Sequence, residues 1–105
     1  MTIEQLFENH ELVPVVVQDD ADGTVLGVCY ANRLAVSETL RTKTAVFWSR
    51  SRNELWRKGE TSGNVAHIVG VEVDCDNDAL LYRVRPTGSF CHTGETSCFH
   101  QKLED

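Results

Sequence analysis

Residues 12–17 and 25–30 are short, valine-rich apolar runs of strand length, and the Asp22-Gly23 pair between them is a strong turn signal. Together they predict a β-hairpin. After Asn32, the apolar positions Leu34, Val36 and Leu40, with small Ala35 among them, predict a short helix over 33–40 that Asn32 caps. Residues 45–48 read as a further strand. The stretch 49–64 is polar, holds two glycines and follows no hydrophobic period, which predicts a functional loop with a helical turn around 53–57. From 65 to 75 apolar and polar positions alternate, placing Val69, Val71 and Val73 on one face of a strand and Gly70, Glu72 and Asp74 on the other. Residues 80–84 answer it as a hairpin partner, the segment from Pro86 to Gly88 breaks the sheet, and residues 99–103 predict one last short strand. The sum is a β-rich α+β fold, a compact, barrel-like antiparallel sheet with one short helix in a single domain over 1–105. Its strand edges offer a route to a dimer.

A chain of 105 residues can build one core, yet it is small enough for a metal or a second subunit to matter for stability. The net charge of −6 excludes nonspecific binding to nucleic acid polymers or anionic membranes, which need an excess of Lys and Arg. No apolar run approaches the roughly 20 residues of a membrane span, and the first residues lack the pattern of a secretory signal. A cytoplasmic location is expected, and in a reducing compartment cysteines serve metals or catalysis rather than disulfides. The positive charges are local: Arg50, Arg52, Arg57 and Lys58 fall close together in an acidic chain. Such a cluster suits a small anionic ligand such as a phosphate ester, or else forms a solvated basic face.

Cys29 has apolar neighbours and reads as a buried thiol. Cys75, Cys91 and Cys98 are different: the first lies within Asp74-Cys75-Asp76-Asn77-Asp78, and the others bracket Cys91-His92-Thr93-Gly94-Glu95-Thr96-Ser97-Cys98. Three thiolates leave one position free on a four-coordinate zinc, as a hydrolase needs; with His92 or His100 as fourth ligand the same set makes a closed, structural site. If residues 74–78 continue extended, Asp74, Asp76 and Asp78 point to one side and Cys75 to the other. The carboxylates suit a hard ion such as Mg²⁺ and the thiolate suits Zn²⁺; otherwise the acidic run is a solvated turn. His92 stands next to a candidate ligand, where it can act as general base, fourth ligand or surface residue. Ser49, Arg50, Ser51 and Arg52 alternate hydroxyl and guanidinium donors, and Lys58, Gly59, Glu60, Thr61, Ser62 and Gly63 add a second anion-binding candidate whose glycines allow close backbone approach. Trp48 and Trp56 are candidates for stacking on a base, though a tryptophan is more often core.

The run Trp48-Ser49-Arg50-Ser51-Arg52-Asn53-Glu54-Leu55-Trp56-Arg57-Lys58-Gly59-Glu60-Thr61-Ser62-Gly63-Asn64-Val65 resembles the signature of the phosphoribosyl-AMP cyclohydrolase family. The Asp74 to Asp78 and Cys91 to Cys98 motifs match its other two signatures in the same order, so the resemblance covers residues 12–99 and is very specific. It implies the third step of histidine biosynthesis, hydrolysis of the N1–C6 bond of the adenine ring of phosphoribosyl-AMP by a water activated on zinc. It also implies a homodimer, zinc held by Cys75, Cys91 and Cys98, and magnesium held by Asp74, Asp76 and Asp78. His92 is then the candidate proton shuttle, and Arg50, Arg52 and Lys58 neutralise the two phosphates of the nucleotide. Residues 27–34 depart from the family, keeping only the Asn32-Arg33 core of its pattern, and Glu95 and His100 replace a basic residue and a tyrosine. The chain ends without the extension of the fused pyrophosphohydrolase, so one activity is expected. A paralogous zinc hydrolase for a related purine nucleotide, or a non-catalytic zinc-dependent module, are the alternatives.

Overall fold

The structure, a computed structural model, describes residues 1–104. One helical turn, α1 (Ile3–Leu6), is held by a reciprocal cap in which Thr2 Oγ1 accepts from Gln5 N and Gln5 Oε1 accepts from Thr2 N. The expected hairpin follows as β1 (Val13–Asp19) and β2 (Val25–Ala31). Its connection turns at Gly23, whose φ of 80° favours glycine, and the Asp19 and Asp22 carboxylates accept from the backbone N–H groups of Ala21 and Thr24. On β1 the alternation is complete: Val13, Val15 and Val17 are fully buried, while Pro14 and Val16 are half-buried on the outer face.

Asn32 caps α2 (Arg33–Thr42) as expected, its Oδ1 accepting from Ala35 N at 2.9 Å, and Lys43 ends the helix in the left-handed region. The buried stripe differs from the expected one. Ala35, Val36 and Thr39 face the core, whereas Leu34 and Leu40 are exposed. Thr39 makes that stripe stable: its buried hydroxyl donates to Ala35 O at 2.8 Å and accepts from Val46 N at 3.0 Å and Tyr82 Oη at 3.3 Å, tying the helix to two strands.

Next come β3 (Val46–Ser49), β4 (Glu54–Arg57), β5 (Ala66–Val73) and β6 (Leu80–Pro86). The helical turn expected at 53–57 is a strand. Asn53, at φ 56°, reverses the chain, β4 pairs antiparallel with β3, and Trp56 packs 5.2 Å from Phe47, which itself stacks on Tyr82. So short a strand carries too few alternations to declare itself; its partner makes it. On β5 the expected single alternation is broken, because Val69 is an extra residue between the Ile68–Val84 and Gly70–Arg83 pairs. Ile68 and Val71 therefore pack on the core, and Val69 is exposed. Residues 99–103 form no strand; Phe99 and Leu103 are exposed and the chain there is irregular.

The main sheet runs β2-β1-β6-β5, and β1 pairs parallel to β6, so it is mixed rather than antiparallel. Among the described residues it does not close into a barrel. The β3–β4 hairpin is a separate two-stranded sheet, joined to β5 by backbone bonds from Ala45 N to Ala66 O and from Ile68 N to Lys43 O, both 2.9 Å. The core lies between the inner faces of both sheets and α2. No helix among the described residues is long and apolar enough to cross a membrane.

Candidate metal centre

Cys91 and Cys98 belong to a loop that closes on itself and then docks on β2. Cys91 N donates to Glu95 O at 3.1 Å, Gly94 N returns to Cys91 O at 3.1 Å, and Cys98 N donates to Leu26 O at 2.7 Å. Ser97 Oγ adds a 2.7 Å bond to Val25 O. Docking needs the missing side chain of Gly27, where a Cβ would lie 2.9 Å from Phe90 Cε2 and 3.3 Å from Cys98 Sγ. The two sulfurs thus meet at the end of the core, above the buried Phe90 ring.

Their protons are unequal. Cys91 has 6% of its surface exposed, yet it sits in a shallow turn where hydrogen bonding outweighs desolvation. The Thr93 hydroxyl, donating to Sγ at 3.1 Å, and the Thr93 backbone pull its pKa down to about 6. Burial, with the adjoining Cys91, pushes Cys98 up to about 11. At neutral pH the pair is a thiolate beside a thiol, and a soft metal would take the place of the remaining proton. His100 Nε2 lies 3.9 Å from Cys91 Sγ, whereas His92 is exposed in the turn. Of the two histidines named from sequence, His100 is the one beside a sulfur.

The acidic motif is a tight turn rather than an extended run. Asp74 Oδ1 accepts from Asp78 N at 3.0 Å and Ala79 N at 3.2 Å, Asn77 N donates to Asp74 O, and Asn77 takes φ 61°. Folding nevertheless gathers the three carboxylates: one oxygen from each of Asp74, Asp76 and Asp78 lies within 4.8 Å of the others. The Asp78 backbone N–H leads in holding the Asp74 carboxyl below the usual range, while hydrogen bonding to Asp74, reinforced by its charge, raises that of Asp78. Negative charge gathered in this way is what a hard dication relieves, and the donor set fits magnesium.

Cys75 rides on this turn, exposed and away from the other two cysteines. Among the described residues the aspartate trio is the one group of three or more metal-capable side chains within mutual reach. The turn joins β5 to β6, whereas Cys98 docks on β2, two to three strand spacings away, or roughly 10–14 Å. Zinc–sulfur bonds are about 2.3 Å, so one chain in this conformation can bring Cys91 and Cys98, but not Cys75, onto a single ion.

The basic segment is divided by the β3–β4 hairpin. Arg50 lies 3.7 Å over the Tyr30 ring, at the mouth of a cavity of about 520 Å³ lined by Cys29, Tyr30, Trp48, Ser49, Arg50, Ser51 and Trp56. Arg52 is exposed and pairs loosely with Glu54 at 3.8 Å. The Ser49 hydroxyl accepts from Arg52 N at 3.2 Å and organises the turn. Lys58 is elsewhere: it is buried, with its ammonium 5.2 Å from the Phe90 ring centroid. Gly59, at φ 91°, has its space filled by its own chain, since a Cβ would sit 2.6 Å from the Asn64 carbonyl carbon; Gly63, at φ 81°, faces open space. Glu60, Thr61 and Ser62 are exposed, and the Ser62 hydroxyl accepts from Asn64 N. Sequence reasoning missed Tyr30 as a pocket wall; its position two residues after Val28 on β2 was legible, but not that β3 delivers Arg50 to it.

The sequence model of the family described as phosphoribosyl-AMP cyclohydrolase matches residues 27–100. The chain is 51% identical over 102 residues to a protein of Archaeoglobus fulgidus named phosphoribosyl-AMP cyclohydrolase, covering 97% of this chain and 94% of that one. It is 59% identical over 97 residues to the histidine biosynthesis bifunctional protein HisIE of Thermus thermophilus, covering 92% of this chain and 45% of that one. The corresponding Deinococcus radiodurans protein is 55% identical over 97 residues, with 92% and 44% covered. The chain spans about half the length of these bifunctional relatives.

Proposed function

The chain belongs to the phosphoribosyl-AMP cyclohydrolase family, and from that premise we propose that it performs the cyclohydrolase step of histidine biosynthesis, opening the adenine ring of phosphoribosyl-AMP at N1–C6 with zinc and magnesium. The carrying observation is the Cys91–Cys98 pair, held together by a loop that docks on β2 through Leu26 O, Val25 O and the open side of Gly27. Zinc there supplies a Lewis acid that makes water a nucleophile at neutral pH. Cys75 is the third thiolate, and because it stands apart within one chain, it comes from a second copy.

A homodimer is supported by the outer face of the mixed sheet, where Val28, Val16 and Leu81 lie side by side across three strands and Val28 is 48% exposed. Arg50, preorganised on Tyr30, receives a phosphate together with the Ser49 and Ser51 hydroxyls; Arg52 adds charge at the rim. Asp74, Asp76 and Asp78 hold magnesium, and His92, free in its turn, moves the proton. One observation favours a closed, non-catalytic zinc site instead: His100 stands close enough to Cys91 to be drawn onto the metal.

The deciding experiment follows ring opening of phosphoribosyl-AMP by ultraviolet absorbance with zinc-loaded protein and Mg²⁺, beside the Cys91→Ser protein. Turnover that disappears with Cys91 is expected. A dimeric, zinc-replete protein that leaves the nucleotide intact would overturn the enzymatic reading in favour of the closed site or a different purine nucleotide.

A further inference from the structure

Trp48 and Trp56 are the two tryptophans of the chain, and both line the cavity whose mouth carries Arg50. Each is half-buried, so part of each ring is left open. Trp56 is braced from behind. Its ring lies 5.2 Å from Phe47, which stacks at 5.7 Å on the buried Tyr82, so packing fixes the indole and leaves its remaining surface to the cavity.

β2 supplies the adjoining wall. Cys29 pairs with Val15 and Gly27 with Val17, both buried, so the two share the inward face of the sheet. Trp56 shares its face of the β3–β4 hairpin with Phe47, which is turned to the same interior. Half-buried Cys29 and Trp56 therefore form the deeper part of the cavity, while exposed Arg50, held 3.7 Å over Tyr30, and Ser51 form its rim. An open indole surface beside a guanidinium and hydroxyls fits a flat π ring that carries an anion, which is the chemistry of a nucleotide. Cys98 Sγ stands over Gly27, two residues or about 7 Å along the strand from Cys29.

We propose that this cavity is the base slot of the site: the purine ring lies on Trp56, Cys29 sets the room available to it, and the nucleotide's phosphate stays at Arg50. This rests on the reading of Arg50, Ser49 and Ser51 as a phosphate site for a purine nucleotide, and it adds the ring and its specificity. Cys29 and Tyr30 fall in the segment 27–34, where the chain departs from the family pattern, so discrimination among purine nucleotides is made at this wall.

The test uses the zinc-loaded protein carrying Trp48→Phe, in which Trp56 is the one tryptophan left to emit, titrated with AMP and with ribose 5-phosphate. AMP is expected to quench the emission on binding, and excess ribose 5-phosphate to displace AMP without quenching by itself. On that background Cys29→Leu, which fills the slot, weakens AMP roughly 10-fold or more and leaves ribose 5-phosphate unchanged. Cys29→Ser, which keeps the size, binds AMP as before. In the parent chain, Trp56→Leu raises KM for phosphoribosyl-AMP roughly 5- to 150-fold, the range for losing the stacking of one base, with kcat within about twofold, and Trp56→Phe recovers most of it. If Trp56→Leu does not fold, Cys29→Leu read by KM gives the same decision. AMP bound no more tightly than ribose 5-phosphate, or Cys29→Leu and Trp56→Leu proteins with parental affinity and KM, would overturn the inference. Arg50→Gln separates the two levels. Loss of both ligands there, with parental AMP binding in Cys29→Leu, undoes this inference alone, whereas AMP bound equally well without Arg50 undoes the phosphate reading beneath it.

Discussion

The separation of Cys75 from Cys91 and Cys98 makes a quantitative prediction about mixed dimers. Sulfurs sharing one zinc lie about 4 Å apart, while the strand order puts Cys75 roughly 10–14 Å laterally from the Cys98 docking point on β2. In the proposed homodimer, each zinc centre therefore takes Cys75 from one subunit and the other two ligands from its partner. Put Cys75→Ser in one differently tagged copy and Cys91→Ser in another, and each homodimer has no complete centre. The mixed dimer has one complete centre and one lacking two ligands. Isolated by both tags, it is expected to show about half the parent's zinc content and ring-opening rate per dimer; the unsorted random mixture shows about a quarter. The assay is absorbance-monitored ring opening with metal analysis on the same samples. A mixed dimer as inactive and zinc-poor as either homodimer would refute the reasoning, because it places all three cysteines of each centre in one chain.

Two further predictions concern the fold and the thiol pair. Thr39→Val keeps the shape but leaves Val46 N and Tyr82 Oη without their buried partner; at about 1–3 kcal/mol per orphaned group, it costs roughly 2–6 kcal/mol and lowers Tm by about 10–25 °C. Thr39→Ser, which keeps the hydroxyl, costs about 1 kcal/mol, and thermal melts giving the reverse order would refute the network's role. In the metal-free protein Cys91, titrating near 6, should react with iodoacetamide at pH 7 well before Cys98 or Cys29, which burial holds at about 11 and 12. Thr93→Val should slow that reaction, and a Cys91 rate rising only around pH 9 would count against the turn geometry. Linkage gives the sign for stability. The depressed Cys91 contributes above its ordinary 9.0 and loses that contribution as pH falls toward about 6, while the raised Cys98 contributes below 9.0 and loses it toward about 11. Tm of the metal-free protein across pH should therefore peak near 9.

Some elements were legible because their cause is local. Asn32 caps α2 through its own side chain three residues on, Gly23 turns the first hairpin through its own φ, and the buried alternation of β1 follows from strand geometry. The three motifs that identify the family are likewise short and contiguous. Less legible were β4, the Val69 bulge and the Leu34–Leu40 stripe, because each depends on a partner: β3 for β4, the β6 register for the bulge, and the space above Val46 and Tyr82 for the face of α2.

Residue types and spacing thus determined the chemistry this chain carries: two metal-capable motifs, a basic segment and the family to which they belong. The tertiary structure alone decided the grouping. It curled the aspartates into a turn that gathers them, paired Cys91 with Cys98 while leaving Cys75 across the sheet, and took Lys58 out of the basic segment to bury it over Phe90. The reason is physical. A periodic pattern states which face of an element turns inward, but strand order and loop docking, settled by long-range packing, state which inward-facing groups meet.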